Sequence, residues 1–335
     1  MPRPTNVRYP QCQFCASSTT PNMSRCSGCK AVQYCSKEHQ TSDWYYHKQQ
    51  CKPLQLALRK YQREADNLGA EFIAENEGYF WGLLETREYM RARFDVGYQL
   101  QHIVSNVAAK QSLGHFRDML KLCRGDNLGV RDLVPGLCLR LGRDQECYDF
   151  IKWYGTEGER GDYDWGDRSL PFLNLRGEDV MEDLAWFKNK YAMAHNVGML
   201  LLKLRMLLDL QDLKASQELG NIQALHADAI LSIQDQLAHR SGIWKERREF
   251  LKPEGLDERI AFLKKQVDTW FDKVNKGNKY FFKGLMDHDK YLYATQEPYS
   301  MGSPEEMILL VQYCARSWME TDGAMEWARK KMQAA

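Results

Sequence analysis

Between Cys12 and Cys51 the chain carries eight soft or borderline metal ligands, and no other stretch restricts the possible folds as tightly. They are Cys12, Cys15, Cys26, Cys29, Cys35, His39, His47 and Cys51. Two C-x2-C knuckles are followed by C-x3-H and H-x3-C, and structural zinc takes four thiolate or imidazole ligands in a tetrahedron. Eight ligands therefore imply two closed sites and two Zn2+ per chain. A C-x2-C pair suits a tight turn, which Gly28 inside Cys26-Ser27-Gly28-Cys29 tolerates best. Cys35 and His39, like His47 and Cys51, are four residues apart, the spacing that puts two side chains on one helix face. Two helices are expected here, the first capped by Ser36 and the second by Ser42 or Asp43.

Cys26-Ser27-Gly28-Cys29, Tyr34-Cys35-Ser36, Gln40, Trp44 and His47-x3-Cys51 make the segment resemble a MYND-type zinc finger. The resemblance implies interleaved ligands, with one ion on Cys12, Cys15, Cys35 and His39 and the other on Cys26, Cys29, His47 and Cys51. That family usually has cysteine where His39 stands. Each site here would then hold three thiolates and one imidazole, a net charge of about −1 with the ion included. The resemblance also implies a protein partner, recognised through a proline-containing peptide that docks beside a short strand. The contact positions carried over are Ser27, Gln40 and Trp44, and Ala31-Val32-Gln33-Tyr34 is the strand expected to offer its edge.

The whole chain has 335 residues and is 44% hydrophobic, enough for a small metal-held module and one or two well-buried domains. With 46 basic and 45 acidic residues its formal charge is +1, so no global field draws it to nucleic acid or an anionic membrane. Met1 to Pro10 has no apolar core of signal-peptide length, and the most apolar run, Gly198 to Leu208, is interrupted by Lys203 and Arg205. The expectation is an intracellular protein with no membrane partner, nuclear or cytoplasmic. Cys123, Cys138, Cys147 and Cys314 fall in helical patterns as small core residues, which suits a reducing compartment.

The fold class read from these patterns is mainly α, with the two-zinc finger over residues 10–52 and an α-helical domain over 53–335. Leu54, Leu58, Tyr61 and Ala65 recur at helix spacing until Asn67 and Gly69 close the segment. Tyr79 to Ile103 and Gln111 to Leu122 read as a helical hairpin. Ser112 and Cys147, like Phe116 and Ile151, are 35 residues apart, close to the period of about 34 of tetratricopeptide units. Tetratricopeptide-like hairpins are therefore expected around 80–154, with one helix running from Asp126-Asn127 to Leu141-Gly142 and bent at Pro135. Residues 155–178 mix glycine, aspartate and aromatics as a long loop, pinned by Trp165 and Phe172.

Further helices are expected within 179–332, at Tyr191 to Leu210, 222–237, 256–275, 304–320 and 322–332, with Gly277 as a left-handed stop. Leu139 to Tyr154 and Tyr299 to Trp318 resemble the helical portion of fungal MYND-finger proteins, which implies a shared architecture and no particular activity. The core from Tyr79 onward is expected to stand without zinc.

One class of MYND proteins joins the finger to a SET methyltransferase domain, whose Asn-His-x-Cys signature is absent here. No phosphate loop, G-x-S-x-G elbow or H-E-x-x-H helix occurs either. Closed zinc sites leave no coordination position for chemistry. The reading is a non-enzymatic adaptor. Its rivals are a methyltransferase-like enzyme and a nucleic-acid-binding finger using Arg25, Lys30, Lys37 and Lys48.

Overall fold

In the computed structural model, His39, His47 and Cys51 and the apolar pattern after Cys51 belong to one helix, α1 (Lys37–Leu68), and Cys35 stands just before its cap. Ser36 caps it, its Oγ accepting the His39 N–H at 3.2 Å. Ser42 and Asp43 start no second helix; Asp43 is buried and accepts the Tyr34 hydroxyl at 2.8 Å. Pro53 lies inside α1 without ending it, because buried Cys51, Leu54 and Ala57 hold the turns around the missing N–H in place. Gly69, with φ of 80°, closes the helix.

The structure describes residues 6–188, 192–219 and 239–334, which divide into two compact units. Unit 1 runs to Leu141 and adds Asp162–Phe172; unit 2 holds Gly142–Gly161 and the chain from Leu173. In unit 1, β1 (Ser24–Arg25) pairs antiparallel with β2 (Gln33–Tyr34), placing Ser24 opposite Tyr34 and Arg25 opposite Gln33. The short α2 (Ala70–Glu75) follows α1, and α3 (Arg87–Gln101) and α4 (Asn106–Leu122) form a hairpin. Tyr79 to Thr86, expected as helix, is instead two 3-10 turns, Phe80–Gly82 and Leu84–Thr86.

The core of unit 1 does not separate finger from helices. Cys12, Cys26, Cys29, Cys51, Val32, Tyr34, Leu54 and Ala57 share one buried cluster with Val96, Leu100, Ile103 and Ala108. Ser105 donates to the Ala31 carbonyl at 2.7 Å, and Asn106 Nδ2 donates to the carbonyls of Val7 and Arg8 at 2.7 and 3.0 Å. For α3 and α4 the expectation of a core separate from the finger is thus replaced by a joint one. Forty residues bury too little alone, and α3 and α4 supply the missing apolar partner.

Where α3 meets α4, Ser112 Oγ donates to the Gly97 carbonyl at 2.7 Å, and a Cβ on Gly97 would lie 2.5 Å from the Phe116 ring. The helix expected from Asp126 is shorter: a 3-10 turn, Val130–Asp132, precedes α5 (Val134–Arg140). Asp126 accepts the N–H groups of Val130 and Arg131 at 2.8 and 2.9 Å, and Pro135 sits in the first turn of α5, where its missing N–H costs nothing. The Arg124 guanidinium donates to the carbonyls of Asp167, Arg168 and Leu170 and lies 5.2 Å from the Phe172 ring. A cation therefore pins this loop as much as its aromatics do.

Unit 2 is built on α7 (Met193–Leu219) and α9 (Leu256–Gly277), with α6 (Asp144–Gly155), α8 (Ile243–Glu246), α10 (Phe281–Met286), α11 (His288–Tyr291), α12 (Pro304–Met319) and α13 (Ala324–Ala334) around them. The expected helix at 222–237 lies outside the described residues. Gly277 is not left-handed; α9 ends on extended Asn278, φ −146°. No described helix is long and apolar enough to cross a membrane.

Lys203, on α7, is fully buried, donates to the Val180 carbonyl and lies 5.2 Å from the Tyr148 ring. Burial pushes its ammonium down to about 7 from an ordinary 10.5, against the opposing pull of Glu182 and Asp179.

Two outcomes follow from these packings. Gly97→Ala must displace the Phe116 ring and should cost about 1–3 kcal/mol in urea unfolding of unit 1; an unchanged midpoint would show the ring moves freely. Because the unfolded chain holds the Lys203 proton up to pH 10.5 and the folded chain only to about 7, stability is lost as pH falls through that window. Wild type should therefore gain on Lys203→Met between pH 7 and about pH 9 in denaturant titrations, and parallel pH profiles would contradict the burial of a titrating lysine.

Candidate metal centre

Both C-x2-C knuckles close with the same turn. Ala16 donates its N–H to the Cys12 carbonyl at 2.9 Å and Lys30 to the Cys26 carbonyl at 3.0 Å. Each stands directly after the second cysteine and is left-handed, with φ of 57°. The turn strain falls on these two non-glycine residues. Gly28 leaves room for another contact: a Cβ there would lie 2.5 Å from Gln55 Nε2 and push aside the amide that donates to Cys51 Sγ at 3.1 Å. Sequence reasoning missed Gln55, and its place one turn after Cys51 on α1 is the signal that pointed to it.

The eight ligand atoms gather into two groups, Cys12, Cys15, Cys35 and His39, and Cys26, Cys29, His47 and Cys51. A zinc–sulfur bond of about 2.3 Å makes the sulfur–sulfur edge of a tetrahedron about 3.8 Å. In the first group Cys15 to Cys35 is 3.8 Å, Cys35 to Cys12 is 3.6 Å, and His39 Nδ1 lies 3.7 Å from Cys12 and 2.8 Å from Cys35. In the second, Cys26 to Cys51 is 3.8 Å and Cys29 to His47 Nε2 is 3.4 Å. The residues present fit two zinc ions of Cys3His type, and these are the only such ligand groups among the described residues. Asp164 and Asp167 instead accept the N–H groups of Gly166 and Ser169, closing loop turns.

The electrostatics of the bare ligand sets call for a cation. Burial raises the Cys12 thiol, but N–H groups of Cys15, Cys35 and Phe14 outweigh it and leave it lowered to about 6. Burial and the sulfurs of Cys12 and Cys15 then hold Cys35 up to about 11, and burial with the charges of Cys26 and Cys51 raises Cys29. One thiolate forms easily in each cluster and opposes the next. A divalent ion removes that opposition. Burial also lowers His47, with Asp43 pulling the other way, so its imidazole is neutral, as ligation requires.

The strand expected to offer its edge does not. Ala31, Val32, Gln33 and Tyr34 are buried, one side faces β1 through the Cys26 N–H to Val32 carbonyl bond, and Gln13 donates to the Gln33 carbonyl on the other. By the alternation of an antiparallel ladder, the free edge belongs to β1, where Arg25 turns its backbone groups away from β2. Ser27 is exposed just beyond it, Gln40 is half-buried on α1, and Trp44 follows one turn later. Trp44 is 43% exposed and meets the His47 ring edge to face at 6.2 Å. A cavity of about 580 Å3 opens beside β1, with Tyr9, Met23, Arg25 and Gln33 in its lining.

Residues 12–51 match the MYND finger family. Their interleaved clusters are those of a zinc-binding protein-interaction module. A hypoxia-inducible factor prolyl hydroxylase of Caenorhabditis elegans is 52% identical over 48 residues, which span 14% of this chain and 7% of that relative. The sequence reading of a non-enzyme is overturned by this relative, which bears an enzyme's name around so similar a finger. That reading rested on missing motifs, and the matched stretch is confined to the finger. No solved structure matches the chain.

Elemental analysis should find two zinc ions per chain. In Cys35→Ala, amide exchange should accelerate at Val96 and Leu100 of α3 as well as in the finger, because they share a core. Unchanged protection in α3 would show that the helices stand alone.

Proposed function

We propose that the finger recruits a protein partner by binding an extended, proline-containing segment along the β1 edge, between Ser27 and the Gln40–Trp44 face of α1. The observation that carries this reading is Trp44, a large apolar side chain left 43% exposed on a helix that buries its other side. Its ring is held against zinc ligand His47 and so is fixed at little entropic cost on binding. Main-chain bonds from an added strand supply affinity, and a proline ring resting on the indole supplies selectivity. The hydroxylase of Caenorhabditis elegans places a similar finger in an enzyme's chain, so recruitment here is compatible with chemistry elsewhere in the same molecule.

Fluorescence anisotropy with a labelled proline-and-leucine peptide tests the reading. Trp44→Ala should weaken binding by about 2 kcal/mol, roughly thirtyfold, and Gln40→Ala by less. Both variants should keep two zinc ions. Equal binding by wild type and Trp44→Ala would move the groove elsewhere.

A further inference from the structure

From Trp44 to Arg63, twenty consecutive residues of α1 contain five bases, Lys48, Lys52, Arg59, Lys60 and Arg63, and no aspartate or glutamate. This lies within a chain whose total charge is +1. Helical spacing puts Tyr45, Lys52, Leu56, Arg59 and Arg63 along one line, at intervals of seven, four, three and four residues. That is the repeat by which one helix presents a seam to another, and it extends about 27 Å. The opposite side of α1 is committed, with Cys51, Leu54 and Ala57 in the core of unit 1.

The line has unspent binding capacity of two kinds. Tyr45 and Leu56 are 64% and 65% exposed, although both are large and apolar. Lys52 and Arg59 have no carboxylate partner among the described residues, and Lys48 meets only the Tyr45 ring, at 4.9 Å. Only the far end is partly neutralised, Arg63 by Glu64 and Lys60 by Glu88 at 3.9 Å.

We propose that this face of α1 docks an acidic amphipathic helix of a protein partner. The charge calls for carboxylates, and the apolar pair selects among anionic partners. A sugar–phosphate backbone has nothing to cover Leu56, and a lipid surface needs a broader apolar face than two side chains. A helix with glutamates flanking a leucine ridge satisfies both, its apolar residues meeting Tyr45 and Leu56 while its acids pair with Lys52 and Arg59. The site is separate from the proline groove and its failure leaves that reading untouched.

The test uses the full zinc-loaded chain and a labelled glutamate-and-leucine helical peptide of about 16 residues. Anisotropy should show saturable binding that weakens about tenfold between about 50 and 300 mM salt. The double variant Lys52→Glu/Arg59→Glu should lose about tenfold or more, and Leu56→Ser several-fold, both with two zinc ions retained. The proposal fails if charge reversal has no effect, if Leu56→Ser binds as wild type, or if duplex DNA or phosphatidylserine vesicles bind more tightly than the peptide.

Discussion

The zinc–thiolate bond is the interaction on which unit 1 depends. Six cysteines and two histidines converge at distances that suit tetrahedral metal, and burial together with the neighbouring sulfurs raises Cys35 and Cys29 until a cation offsets the charge. Structural zinc supplies on the order of 10 kcal/mol to such a module. What the metal holds is also what α3 and α4 pack against, so the finger is one wall of a larger core.

α1 carries the consequences outward. Its first turns bring His39 and His47 to different ions, its middle buries Cys51 and Leu54, and its outer side remains polar, aromatic and basic. A helix pinned by two metal sites and a core cannot rotate to suit a partner. The side chains it leaves exposed, Trp44, Tyr45 and Leu56 among them, therefore keep a fixed orientation relative to the finger.

Ligand identity was legible in the sequence because metal coordination demands particular atoms at particular spacings. Strand edges were not, because which side of Ala31 to Tyr34 is free depends on Gln13 and Cys26, residues whose approach no local pattern encodes. Helix existence was largely legible from periodicity, as for α4, α7 and α9, whereas ends were not. Asp126 looked like a helix start and instead caps a 3-10 turn, and Gly277, a natural stop, stays inside its helix. The shared core of finger and helices was hidden for the same reason, since Val96 and Leu100 fit any amphipathic helix and only the fold shows them against the zinc cysteines.

X-ray absorption at the zinc edge tests the central claim most directly. The account predicts an average shell of three sulfurs near about 2.3 Å and one nitrogen near about 2.0 Å per ion, with imidazole scattering at full occupancy for two histidines. A shell with two sulfurs per zinc, or imidazole scattering for a single histidine, would remove His39 or a cysteine from the ligand set and contradict the two-site structure.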